Sequence, residues 1–325
     1  MSRPLCLVTG ATGAIGSGVV AALAGTHDVR VLSRRPAGPD LFRVPVTVFA
    51  GDVADVHALR CAARGADVIV HLAALLHIVD PPPALRAEYE RVNVTGTAAV
   101  MEAATMEGVS RVVLMSTVAV YGSRERMLLD EDSPPRPETF YGETKLAAER
   151  IALEARRDDG SLLATVLRSA AVYGPRVKGN YQRLVQALAR RRFVPIGPGD
   201  NLRTLIFEED LASAAALAAV HPAAAGRIYN VSDGRSHPLR EIIAAICEAL
   251  GRRPPRWHAP VGPVRAALRA AALIDRRLPR LLDKYLEEIA VDGSRIQAEL
   301  GFRPAFGLAD GWRATIAEMR RAGLL

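Results

Sequence analysis

The sequence predicts an α/β chain, a doubly wound parallel sheet followed by a smaller C-terminal lobe. Three observations carry that prediction. Short apolar and β-branched runs alternate with helical patterns through the first half of the chain. The first strand-to-helix junction is a glycine-rich turn, Gly10-Ala11-Thr12-Gly13-Ala14-Ile15-Gly16. After about Tyr173 the alternation loosens into Gly- and Pro-rich loops, such as Gly174-Pro175 and Pro195 to Gly199, between helical segments.

In chain order, Leu5 to Thr9 reads as the first strand because its apolar run leads straight into the glycine turn, and Gly16 to Ala24 as the helix that follows. Val29 to Leu32, Val46 to Ala50 and Asp67 to His71 continue as strands two to four. A long helix is expected over Leu85 to Glu107, a fifth strand over Val112 to Ser116, a helix over Tyr141 to Arg157 and a sixth strand over Leu163 to Leu167. Helices follow at Asn180 to Arg191, Glu209 to Val220 and Leu239 to Leu250. The basic, proline-bounded stretch Pro254 to Pro279 reads as lobe structure or a cap over a cleft. Residues 1–172 are thus expected to form one domain and 173–325 mainly a second, with some segments returning to the first sheet.

With 50% apolar and 24% charged residues in 325, the chain is globular, not disordered or collagen-like. Its richest apolar stretch, Leu211 to Val220, falls short of the ~20 residues that a membrane helix needs. The first apolar run is the first strand, not a secretory leader. Cys6, Cys61 and Cys247 have no metal-type spacing and read as reduced thiols of a cytoplasmic protein, and no metal site is expected. The net charge of +7 is almost wholly arginine, since the lysines are only Lys145, Lys178 and Lys284. Short basic runs such as Arg190 to Arg192 and Arg252-Arg253 lack interleaved aromatics, so the excess reads as compositional background, with neither nucleic acid nor membrane as partner.

Glycine at Gly10, Gly13 and Gly16 permits a tight turn and lets a pyrophosphate approach backbone donors at the positive end of a helix, with Thr12, Ala14 and Ile15 between them. Strand two should end beside the adenosine ribose of such a dinucleotide, where a carboxylate would hold the 2′ hydroxyl of NAD. Ser33-Arg34-Arg35 stands there instead, so a 2′-phosphate is favoured and NADP(H) is expected over NAD(H). Asp52 and Val53, after strand three, are placed beside the adenine. Tyr141 and Lys145 are four apart and share a helix face, where an ammonium can lower the pKa of the phenol and make it a usable acid and base. Ser116-Thr117 ends strand five.

Together the glycine turn, His71-Leu72-Ala73-Ala74, Asn93-Val94-Thr95-Gly96-Thr97, the Ser116-Thr117 strand end and the Tyr141/Lys145 helix resemble the extended short-chain dehydrogenase/reductase family, with its Rossmann-type sheet and substrate-binding lobe. Arg168 through Val172-Tyr173-Gly174-Pro175, Arg203-Thr204-Leu205-Ile206-Phe207, and Leu300-Gly301-Phe302 with Pro304 resemble its sugar-nucleotide branch. The resemblance implies Tyr141 as acid/base, Lys145 as ribose anchor and Thr117 as the hydroxyl on the reacting oxygen. It implies Leu72, Ala73, Ala74, Asn93 and Arg168 on the cofactor side. On the substrate side it implies Ser116, Thr117, Asn180 and Arg203, with Arg203 on the diphosphate of a sugar nucleotide. A homodimer through two long helices is implied as well.

The family's 4,6-dehydratases carry an Asp-Glu pair directly after the catalytic Thr, and here that pair is Val118-Ala119, which cannot move protons. What remains needs hydride and one proton. The leading expectation is an NADP(H)-dependent reductase of a keto sugar nucleotide. A 4-epimerase working through a transient ketone, a reductase of a hydrophobic alcohol or ketone, and a non-catalytic dinucleotide sensor are the alternatives.

Overall fold

The computed structural model describes residues 3–35, 41–76, 82–123, 127–271 and 278–325. Seven parallel strands form the main sheet: β1 (Leu5–Thr9), β2 (Asp28–Ser33), β3 (Thr47–Ala50), β4 (Val68–His71), β5 (Arg111–Thr117), β7 (Ala164–Ser169) and β10 (Ile228–Val231), with β6 (Leu128–Leu129) lying outside it. Their spatial order is β10-β7-β5-β4-β1-β2-β3. The chain therefore winds outward from β1 in one direction, then restarts on β1's other side at β4. That reversal opens a crevice at the carboxyl ends of β1 and β4, where open α/β sheets bind ligands.

Both faces of the sheet are covered, which is why its strands are apolar on both sides. In β1, Cys6 and Val8 point into one core with α1 (Gly16–Ala24) and α7 (Glu208–Val220), while Leu7 points into the other with α2 (Val56–Ala63), α4 (Gly96–Met106) and α5 (Phe140–Glu154). The alanine-rich α7 is no compositional accident. Ala212, Ala214, Ala215, Ala218 and Ala219 are buried, and small side chains let α7 lie close on α1, where a Cβ at Gly18 would sit 3.3 Å from that of Ala212.

The expected long helix is present but divided. Helix α3 (Arg86–Tyr89) passes through a π turn, Glu90–Thr95, into α4. Such widened turns are frequent near functional sites, and this one carries Asn93. Helix α5 begins under a Thr139 cap, whose hydroxyl accepts from the Gly142 amide, and ends at Glu154 instead of Arg157, where a bridge between Arg156 and Leu162 takes over.

The lobe holds a second sheet, β8 (Ala171–Tyr173), β9 (Leu202–Phe207) and β11 (Ser236–Pro238), and a short pair of β6 with β12 (Ala290–Val291). Around them lie α6 (Asn180–Ala189), α8 (Leu239–Ala249), α9 (Val261–Ala271), α10 (Leu278–Leu286), α11 (Ser294–Leu300) and α12 (Leu308–Arg321). Its core stacks Tyr173 on Trp312 and packs Phe207 on Phe306. The Pro254 to Pro279 stretch supplies α9 and the start of α10, and its residues 272–277 lie outside the described residues.

Candidate active site

The glycine turn sits in the crevice. Gly10 has φ +72°, and a Cβ there would come within 2.5 Å of the Ala73 amide, so the β1 and β4 ends can meet only with glycine. Helix α1 carries no side-chain cap and no acid in its first turn, which leaves its positive end for an anion. From this turn runs a cleft of about 550 Å³. Gly10, Thr12, Gly13, Ala14 and Ile15 line one end, Ser33, Arg34, Asp52 and Val53 the side, and Leu72, Ala73 and Ala74 the floor. Gly16 is not on the wall; it packs against the Ala11 backbone. Arg35 does not line the cleft either, and its carbonyl accepts from the Ser33 hydroxyl.

Asp52 has a partner that the sequence did not point to. Arg91 donates to it at 2.9 Å while holding Glu88 through two further bonds, and the Arg91 guanidinium keeps the Asp52 carboxyl below the usual range. Asn93 stands behind the cleft. Its oxygen accepts from the Leu75 amide at 2.8 Å and its nitrogen donates to Thr144, so it ties the floor of the cleft to α5.

Thr117, Tyr141 and Lys145 close the far end of the cleft. Burial pushes the Tyr141 phenol up to about 12, opposed by a hydrogen bond with Thr117. Lys145 is buried, and burial brings its ammonium down to about 8, opposed by the charge of Glu149. The expected lowering of the Tyr141 pKa is thus corrected. The site is dry enough to drive both groups toward their neutral forms.

Arg168 is not on the cavity wall. Its guanidinium, on β7, is buried against Glu149, with Nη2 to Oε2 at 2.7 Å and Nε to Oε1 at 3.1 Å, and also donates to the Tyr121 hydroxyl at 2.8 Å. Ser116 faces the cofactor cleft, not the substrate side, and its hydroxyl donates to the same Glu149 carboxylate. Glu149 is one turn beyond Lys145 on α5, so an ion pair reads through the helix to the site. His71 bridges Thr9 at 2.7 Å and Thr97 at 3.2 Å, and burial brings its pKa down to about 3, so it is a neutral strut.

A second cavity, of about 510 Å³, opens on the lobe side of the same residues. The two cavities share Thr117, Tyr141, Ala170 and Ala171. Asn180 and Arg203 line the second, as do Tyr181, Phe193 and Tyr285, which come from segments with no motif. Arg203 is already engaged: it pairs with Glu287 at 3.0 Å and donates to the last carbonyls of α10, Lys284 at 2.7 Å and Tyr285 at 3.2 Å. Lys284 pairs with the same Glu287 at 2.5 Å. Among the described residues, no group of three or more His, Cys, Asp or Glu could hold a metal ion, and no helix is long and apolar enough to cross a membrane.

The model of the NAD dependent epimerase/dehydratase family matches residues 6–232. A dTDP-glucose 4,6-dehydratase of Streptomyces griseus is 35% identical, covering 96% of this chain and 92% of its own length. A UDP-glucose 4-epimerase of Mycolicibacterium smegmatis is 32% identical, covering 97% and 98%. Among solved structures, MoeE5 in complex with UDP-glucuronic acid and NAD is 32% identical, with a TM-score of 0.78 over 98% of this chain and 99% of that one. The cleft has the shape and donors for the nicotinamide dinucleotide held by such neighbours. The chain belongs to the NAD dependent epimerase/dehydratase family, the extended short-chain dehydrogenase/reductases, and is an enzyme of that NAD(P)-dependent type.

Proposed function

We propose that this enzyme is a cytoplasmic NADP(H)-dependent reductase of a keto sugar nucleotide, a 4-keto-6-deoxyhexose on dTDP or UDP. One observation carries the reading: the two cavities meet at Thr117 and Tyr141, and the residues that follow, Val118 and Ala119, hold no acid or base. Thr117 and Tyr141 equip the site for one hydride and one proton, and the two positions where 4,6-dehydratases carry their second acid and base are apolar. The three free cysteines support a reducing compartment.

The dinucleotide supplies the hydride when bound. Ser33 and Arg34 would hold its 2′-phosphate, since β2 ends without a carboxylate and Asp52, on the same side of the cleft, is paired with Arg91, and Lys145 would hold its ribose. Thr117 orients the ketone oxygen, and Tyr141 gives it a proton as charge develops there. On the substrate side Arg183, Arg203 and Lys284 would seat the diphosphate, displacing Glu287 from Arg203 and Lys284. Leu184, Phe193 and Ile289 give the sugar an apolar wall.

A 4-epimerase is the second reading, favoured by the NAD and UDP sugar named in the MoeE5 complex. The experiment that separates them is mass spectrometry of the nucleotide released from purified protein, followed by turnover of a 4-keto-6-deoxyhexose nucleotide. The reductase releases no tightly held NAD and oxidises one NADPH per ketone consumed. Co-purified NAD with interconversion of two sugar nucleotides and no net cofactor use would overturn it. The homodimer, through α4 and α5, is proposed alongside and is checked by sedimentation equilibrium.

A further inference from the structure

The excess arginine is not spread as background. Residues 180–199 contain four arginines and no acid; residues 250–282 contain eight arginines and one acid, Asp275. These two segments carry a net +11, whereas the rest of the chain, with 30 basic and 34 acidic residues, carries −4. Arg265 pairs with Asp283, just past the second segment, and the remaining excess is concentrated in two pieces of the lobe that lie about fifty residues apart in sequence.

The fold joins them. Arg252 donates to the Leu188 carbonyl at 3.1 Å, and the Ala259 amide donates to Pro195 at 2.8 Å while the Gly197 amide donates to Ala259 at 2.8 Å. Arg190, Arg191 and Arg192 are thereby brought to the same side as Arg252, Arg253 and Arg256. Among the described residues of these segments, three large apolar side chains stand exposed: Trp257 at 66%, Val194 at 52% and Leu281 at 48%. The outer face of α9 adds only alanine, glycine, proline and Arg269. Leu281 also lines the substrate cavity, as do Phe193, next to Val194, and Tyr285, which bonds to the Ile196 amide. The patch is the rim of that cavity.

One backbone detail points the same way. Helix α6 ends in a turn whose amides at Arg191 and Arg192 bond back to Leu188 and Ala187, and Arg191 has φ +54°. Glycine is the usual residue at that position, and it is the one non-glycine residue with positive φ among the described residues. An exposed arginine thus stands where glycine would be less strained, and it adds its charge to the patch.

We propose that this rim docks the enzyme on an anionic lipid bilayer, with the mouth of the substrate cavity against the headgroups. Clustered arginines meet acidic headgroups, while Trp257, Val194 and Leu281 enter the interface, and peripheral binding needs both contributions. A nucleic acid would satisfy the arginines and leave the aliphatic side chains exposed to water.

The test uses the full chain with vesicles of phosphatidylcholine alone or mixed in equal parts with phosphatidylglycerol. The chain has two tryptophans, and Trp312 is buried, so a blue shift of emission on vesicle addition reports Trp257. Expected are co-sedimentation with the anionic vesicles only, release by high salt, and a blue shift. Changing the exposed Arg190, Arg253 and Arg256 together to Glu should weaken binding by about tenfold or more, with turnover of a soluble substrate unchanged. Changing Arg43 and Arg64 to Glu, away from the patch, should leave binding intact. No binding to anionic vesicles, equal binding to neutral ones, undiminished binding by the triple variant, or a stronger preference for duplex DNA would each overturn the proposal. Vesicle binding requires neither cofactor nor sugar, so its failure is distinguishable from failure of the catalytic reading.

Discussion

Changing Glu149 to Gln keeps the shape of the side chain and removes its charge. Glu149 and Arg168 are 1% and 3% exposed, and the guanidinium places bonds of 2.7 and 3.1 Å on separate carboxylate oxygens. Without the carboxylate, Arg168 keeps Tyr121 at 2.8 Å and a longer contact with the Glu131 carbonyl at 3.4 Å, neither of which neutralises it. Removing one partner of a buried pair costs about 3–5 kcal/mol, a large share of the ~5–15 kcal/mol that holds a domain folded. Gln retains one acceptor, so the lower end is expected, about 3 kcal/mol in urea unfolding. Replacing the pair together, Glu149→Leu with Arg168→Met, should restore most of that loss. A second readout separates stability from function. The charge of Glu149 holds the Lys145 pKa up, and the ammonium is lost as pH rises through about 8. In Glu149→Gln that limb of kcat/KM for the cofactor should move to lower pH. A loss under about 1 kcal/mol would refute the claim that the pair is uncompensated inside the protein. An unmoved limb would refute the coupling between Glu149 and Lys145.

Tyr141→Phe should lower turnover by a factor on the order of 10²–10⁴ and leave cofactor binding by calorimetry largely intact. Arg34→Ala should weaken NADPH more than NADH, and equal losses in a binding titration would remove the argument for the 2′-phosphate. His71 has a folded pKa of about 3 against an ordinary 6.5, so the unfolded chain takes up the proton first and stability is lost as pH falls below 6.5. By pH ~5 this residue alone removes about 2 kcal/mol, and His71→Gln should flatten that part of the urea midpoint against pH.

Six of the seven strands of the main sheet were legible because each is a run of apolar residues closed by a turn, and β1 with α1 falls where the glycines put it; β10 was not placed, because it returns to the sheet from the lobe at long range. Helix α2 was missed because it is short and lies between strands in a stretch whose start signal is one Asp55 cap. The site divides similarly. Residues on the glycine turn and on one face of α5 have fixed spacing and were readable. Glu149 could have been found the same way, one turn past Lys145. Arg91, Tyr181, Tyr285 and Glu287 could not, because only the folded chain brings them near residues that are distant in sequence. Arg168 and Arg203 were placed by motif, and the structure shows why motif alone is insufficient: each guanidinium is engaged by a carboxylate from another element.

Strand β10 leaves the lobe to pair with β7, aligning Ile228 with Val166 and Val231 with Ser169. A ribosome that has released the first 170 residues has therefore delivered six strands of the seven, with the β7 edge open along its hydrogen-bonding groups. The emerging chain must keep that edge from pairing with a neighbour for nearly sixty more residues of synthesis, the kind of unpaired edge that recruits other chains. A fragment cut after residue 172 would hold the protein in that state, with the β7 edge unpaired.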